Sequence, residues 1–192
     1  VFKPRPRIEA LALPGGATAL VVDEALAAPQ RWRNTARLHA GEFRPDRLAG
    51  YPVQRIALPP QYATPIALYF SEYLRDRLGF RRVVDVQAWL SLATAPPLAP
   101  VRASAAEPGQ GTALAVLFLS EDPASGGLVF PAAPVLDDDE AVRVPARYNR
   151  LVVFDGGRWH APDIAHPDRL GTDPDTGRLV LEARLTCRRR VS

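Results

Sequence analysis

Tyr148-Asn149-Arg150-Leu151-Val152-Val153-Phe154-Asp155-Gly156-Gly157-Arg158-Trp159-His160-Ala161-Pro162 is the stretch on which the fold turns. Leu151 to Phe154 have the composition of a buried strand, and Gly156-Gly157 supplies a turn directly after it. A histidine, His160, follows beside Trp159. Taken alone, the stretch reads as a strand, a turn and a histidine packed at the mouth of a β structure.

The flanking sequence has the same texture. Thr112 to Leu119 is a nearly continuous apolar run, expected to be a strand buried on both faces. Gly126-Gly127 turns the chain into Leu128-Val129-Phe130, and Val142 to Pro145 is a further short strand. From Gly177 to Cys187, Leu179, Leu181, Ala183 and Leu185 alternate with polar or charged neighbours, apart from Val180. That period of two predicts an antiparallel strand with its polar side in water. Val83 to Leu90 is strand-like and ends before the proline-rich residues 95–100.

Toward the N-terminus the pattern becomes mixed. Residues 17–23 form a strand-like run, and residues 24–40 are helical, with a second helix beginning at Pro29. Residues 50–60 are extended, with Val53, Ile56 and Leu58 as core contacts. Thr64 to Leu78 reads as a helix capped by Thr64, with Pro65 in its first position and Gly79 past its end. Helices first and short strands afterwards predict an α+β fold. We expect one domain over 1–192, with 1–82 giving an N-terminal strand and helical support, and 83–192 the β core.

The totals exclude several classes. The 192-residue chain is 47% hydrophobic and 23% charged, an ordinary globular balance. Net charge is +3, and the arginines are scattered among acids, so no nucleic-acid partner is expected. Arg188-Arg189-Arg190 reads as a solvated tail, and Asp137-Asp138-Asp139-Glu140 as a solvated acidic turn. No apolar run approaches the roughly 20 residues of a membrane span. One cysteine, Cys187, excludes an internal disulfide, and with no signal-peptide pattern the expected setting is cytoplasmic. The wealth of Ala, Arg and Pro suggests a bacterial source, and methionine is absent.

In order and texture, Val101 to Leu185 resembles the core of the iron(II)/2-oxoglutarate oxygenases, prolyl-hydroxylase-like proteins built on a double-stranded β-helix, or jelly roll. The Asn149 to His160 stretch is the most specific part of that resemblance. It implies a jelly-roll core with supporting N-terminal helices. His160 would be the distal iron ligand, and Arg178, or Arg169, would hold the distal carboxylate of 2-oxoglutarate. Such enzymes hold Fe(II) on a two-histidine, one-carboxylate face, and a guanidinium fork matches both oxygens of a carboxylate.

The chain departs from this pattern where the first His-x-Asp pair should stand. Sliding the pattern along Arg102-Ala103-Ser104-Ala105-Ala106-Glu107 puts Ala105 at the histidine and Glu107 at the aspartate. Alanine cannot ligate, which leaves Glu107 and His160 as metal candidates, with His166 as a substitute and His39 as a surface or interhelix histidine. Three functions stay open. The first is a dioxygenase with impaired or altered metal binding, using Fe(II) and 2-oxoglutarate on a small-molecule or peptide substrate. The second is a non-catalytic binding or partner module on the retained fold, with no cofactor. The third is a metal-independent enzyme drawing on Tyr148, Glu107 and His160.

Overall fold

The computed structural model describes residues 1–103, 107–136 and 139–189. Ala105 and Arg190 lie outside the described residues, as do Asp137 and Asp138 of the acidic turn. In chain order the main elements are β1 (Ile8–Leu13), β2 (Ala17–Val22), α1 (Gln30–Leu38), β3 (Arg44–Pro45), β4 (Val53–Ala57) and α2 (Pro60–Tyr69). Then come β5 (Phe80–Ala93), β6 (Gln110–Phe118), β7 (Gly127–Phe130), β8 (Val142–Val144), β9 (Leu151–Asp155), β10 (Ala161–Asp163) and β11 (Arg178–Arg189).

Eight strands form one sheet in the order β1-β2-β9-β6-β11-β5-β4-β3, and three form a second in the order β10-β7-β8. All pairings are antiparallel. The small sheet packs on the large one through Leu128, Phe130 and Val144, which meet Val21 of β2, Val116 and Phe118 of β6, Phe154 of β9 and Val180 of β11, and the pair of sheets is the double-stranded β-helix. The fold is α+β, with helices on the outer face of the large sheet.

Two apolar clusters follow from strand alternation. Leu179, Leu181, Ala183, Leu185 and Cys187 of β11 face the helices and pack with Ile66, Phe70 and Leu74. Val180 points the other way, joining Val116, Phe118, Leu128, Phe130 and Phe154 between the sheets. The expectation of a water-facing side for this strand is therefore corrected. β11 lies in the middle of the large sheet, and Arg178 and Glu182 are only 1% and 9% exposed. Only from Arg184 onward does that face reach solvent.

Helix α2 also departs from its expected start. It begins at Pro60, which fits a first position, so Pro65 lies inside it. Thr64 does not cap; its hydroxyl donates back to the Pro60 carbonyl at 2.9 Å. A π-helical turn (Phe70–Leu74) and a 3₁₀ turn (Arg75–Leu78) continue it to Gly79, whose φ of 73° ends the helix.

Asn149 ties the N-terminal strands to the core. Its φ is +64°, a conformation that Asn tolerates better than most residues. Its side chain accepts from Leu26 N and donates to Leu26 O, both at 2.9 Å, while its backbone bonds Ala25 and Phe118. Asn149→Ala leaves two buried backbone groups unpaired at a positive φ, and is expected to destabilise by about 2–4 kcal/mol. Urea denaturation read by tryptophan fluorescence measures it. A loss under about 1 kcal/mol, the net worth of a single hydrogen bond, would refute the anchoring role.

Candidate functional site: a polar cavity between the sheets

A cavity of about 300 Å³ opens between the sheets, with Val116 and Leu128 of the apolar cluster forming part of its wall. It is lined by His160, Arg178, Glu182, Arg55 and Tyr51, with Val101, Arg102 and Arg184 among the remaining residues. Arg178 and Glu182 come from β11, four residues apart and hence on the same face. Arg55 comes from β4, directly opposite Ser91 of β5.

Glu182 is the centre of a buried network. Its Oε1 accepts from the Tyr51 hydroxyl at 2.7 Å; its Oε2 accepts from Arg55 Nη2 at 2.5 Å and Ser91 Oγ at 2.7 Å. Arg55 also donates from Nη1 to Asp46 at 2.6 Å and from Nε to Ser91 Oγ at 3.0 Å, with its guanidinium over the Trp89 ring. Burial raises the Glu182 pKa, but Arg55, Ser91 and Tyr51 outweigh it and hold the carboxyl below its ordinary 4.5. Burial, with the Glu182 charge beside it, raises the Tyr51 phenol, so it stays a donor.

Arg178 sits deep in the cavity over the Phe118 ring. Its Nε donates to the Gly126 carbonyl at 3.1 Å and its Nη2 to the Gly127 carbonyl at 3.0 Å. The Gly126-Gly127 turn is shaped for this close approach. Gly126 has φ +102°, and a Cβ on Gly127 would lie 2.0 Å from the Val144 carbonyl oxygen. Arg178 Nη1 takes no protein acceptor among the described residues.

His160 is buried, its ring edge-on to Phe154. Nδ1 lies 2.8 Å from the Arg158 carbonyl, which only accepts, so Nδ1 donates and Nε2 keeps its lone pair in the neutral ring. Burial lowers its pKa, favouring that neutral form. Val101 pairs with His160 through reciprocal backbone bonds of 2.8 and 2.9 Å, and Ala103 N donates to the Gly156 carbonyl. The side chain directly opposite His160 is therefore Val101, with Ala103 next on the same face. Neither can ligate a metal.

The other sequence candidates lie elsewhere. Glu107 is exposed in the turn before β6, where its carboxylate accepts from Gln110 Nε2 at 3.1 Å. Arg169 is exposed and pairs with Asp122 at 3.0 Å. His166 is exposed, and His39 pairs with Glu42 at 2.8 Å. The structure thus brings His160 and Arg178 together and leaves Glu107 and Arg169 outside their cavity. Tyr51, Arg55, Ser91 and Glu182 were missed by the sequence reading. Their only signal was a glutamate on the polar side of a strand whose neighbours gave no sign that this side is covered.

An iron site asks for two imidazoles and a carboxylate on one face. The cavity offers His160 Nε2, while Glu182 is already engaged by three donors. Among the described residues no group of three His, Cys, Asp or Glu is placed to hold a metal. The donor set of the described residues does not match the one with which such oxygenases hold Fe(II).

Solved structures similar to this chain are oxygenase-fold proteins. A Pseudomonas putida prolyl-4-hydroxylase is 20% identical, with a TM-score of 0.58 over 90% of this chain and 93% of its own. A Trichoplax adhaerens prolyl hydroxylase, solved with a hypoxia-inducible-factor peptide fragment, is 10% identical, with a TM-score of 0.59 over 89% and 83%. HygX from Streptomyces hygroscopicus, solved with nickel and 2-oxoglutarate, is 11% identical, with a TM-score of 0.56 over 89% and 82%. At these identities the likeness shows the fold. No curated protein matches the chain. Residues 4–135 and 139–185 match a family of unknown function, DUF6445, and the chain belongs to that family.

Proposed function

We propose that this protein binds a small carboxylate in the cavity between its sheets without building the iron centre of the oxygenases. The observation that carries the reading is Arg178, a buried guanidinium with Nη1 free of protein acceptors. Charge supports it too. The carboxylates lining the cavity, Asp46 and Glu182, both bond Arg55, and among the described residues Arg102, Arg178 and Arg184 make no direct ion pair, though Arg178 feels the charges of Glu182 and Asp163. A cavity with more cations than anions favours an anionic guest. Arg178 supplies the charged donor, and His160 Nε2 an acceptor for a guest hydroxyl or water.

A second reading, an oxygenase with altered metal binding, is supported by the free Nε2 of His160. Anaerobic calorimetry separates the two. Fe(II), with Mn(II) as a redox-quiet control, is titrated with and without 2-oxoglutarate. The binding-module reading expects 2-oxoglutarate or succinate to bind without metal, and no saturable metal binding at millimolar concentration. Micromolar metal binding that disappears in His160→Ala would instead establish the oxygenase reading. If neither carboxylate binds, the proposal fails.

A further inference from the structure

The face of the large sheet that carries Arg178 and Glu182 continues past the cavity mouth. There Arg184 lies opposite Gln87 of β5 and Leu114 of β6, and Thr186 opposite Asp85 and Thr112. Arg188 lies opposite Arg82 and Gln110. A bulge at Val84 of β5, just before Asp85, adds one residue there, so β11 keeps its alternation and Arg184, Thr186 and Arg188 share one face. Arg82, Asp85, Gln87, Arg184 and Arg188 are all exposed. Arg102, stacked on Trp159 at 4.4 Å, adds a further cation at the mouth.

None of Arg82, Arg102, Arg184 and Arg188 has a carboxylate partner among the described residues. Two acids stand by this stripe, Asp85 opposite Thr186 and Glu107, whose carboxylate accepts from Gln110. Arg82 directly opposite Arg188 is a like-charge pair, unfavourable in the free protein and relieved when an anion lies between them. Arg184 and Arg188 are about 13 Å apart along the strand, twice the spacing of side chains that share a face of an extended chain.

We propose that this stripe binds an extended acidic peptide segment, one carboxylate of which enters the cavity toward Arg178. The proposal rests on the carboxylate-binding reading of that cavity and names its partner. The stripe runs too far from Arg178 for a small diacid to span. Gln87, Gln110 and Thr186 suit a peptide backbone, offering amides and a hydroxyl between the charges. Four arginines fall short of the roughly 6–10 phosphate contacts of a strong nucleic-acid site.

Fluorescence anisotropy with fluorescein-labelled hexaglutamate tests it, with hexalysine and oligothymidylate as controls. Hexaglutamate is expected to bind, to weaken with salt, and to lose about tenfold or more in affinity in the double variant Arg82→Glu, Arg188→Glu. The same variant should keep wild-type 2-oxoglutarate binding by calorimetry, which separates failure of the stripe from failure of the cavity. No hexaglutamate binding, binding indifferent to the charge reversal, or tighter binding of oligothymidylate overturns the proposal.

Discussion

Glu182→Ala is expected to destabilise the protein by about 3 kcal/mol, near the lower end of the 3–5 kcal/mol for breaking a buried ion pair. The carboxylate takes three hydrogen bonds, so its removal leaves Tyr51, Ser91 and one arm of Arg55 without an acceptor. The cost stays low in the range because Arg55 keeps Asp46 at 2.6 Å. Replacing both partners, Arg55→Met with Glu182→Leu, should recover most of the loss, since apolar groups of similar size need no partner. Urea denaturation of wild type and the two variants checks this. A double variant less stable than Glu182→Ala would mean that the pair itself is a net stabiliser.

The same network sets an acid dependence. The folded Glu182 carboxyl is held below 4.5, so the unfolded chain takes up its proton first as pH falls. Its contribution is complete above about pH 4.5 and disappears as pH drops through the folded value. Glu182→Gln should therefore be less stable than wild type at pH 7 and lose less stability on acidification. Parallel stability-versus-pH curves for the two proteins would sink that assignment.

How much of this the sequence disclosed depends on what covered each residue. Strand periodicity located β6, β9 and β11, and the stretch ending in His160 disclosed the jelly roll, because local pattern and fold agree there. Glu182 was invisible for a physical reason. A charged residue at an alternating position has the same sequence signature whether it meets water or a partner from another strand. Its partners lie 91 to 131 residues away, and no local spacing links them. Sliding the family pattern along the chain named Ala105 and Glu107 but could not say which residue pairs with His160, because a backbone bridge leaves no mark in local spacing. That bridge selects Val101. The start of α2 at Pro60 was hidden by a second, equally plausible cap at Thr64-Pro65.

Arg178→Met is expected to abolish carboxylate binding and to cost about 2–4 kcal/mol in stability, by stranding two buried carbonyls. Those carbonyls, of Gly126 and Gly127, sit on a turn that cannot move toward another donor, because the Gly127 Cα faces the Val144 carbonyl. Arg178→Lys separates the two losses. An ammonium keeps the charge and can satisfy one carbonyl, so stability should fall less. It has no planar fork to serve the turn and a guest together, so the ligand should still be lost. The measurement is the ligand-induced gain in stability. A wild-type protein at a hundredfold excess over Kd gains about 2.7 kcal/mol, and neither variant should gain any. If 2-oxoglutarate stabilised Arg178→Lys as fully as wild type, the arginine would be a structural clamp for the Gly-Gly turn, and the guest's anchor would have to be sought among the arginines of the mouth.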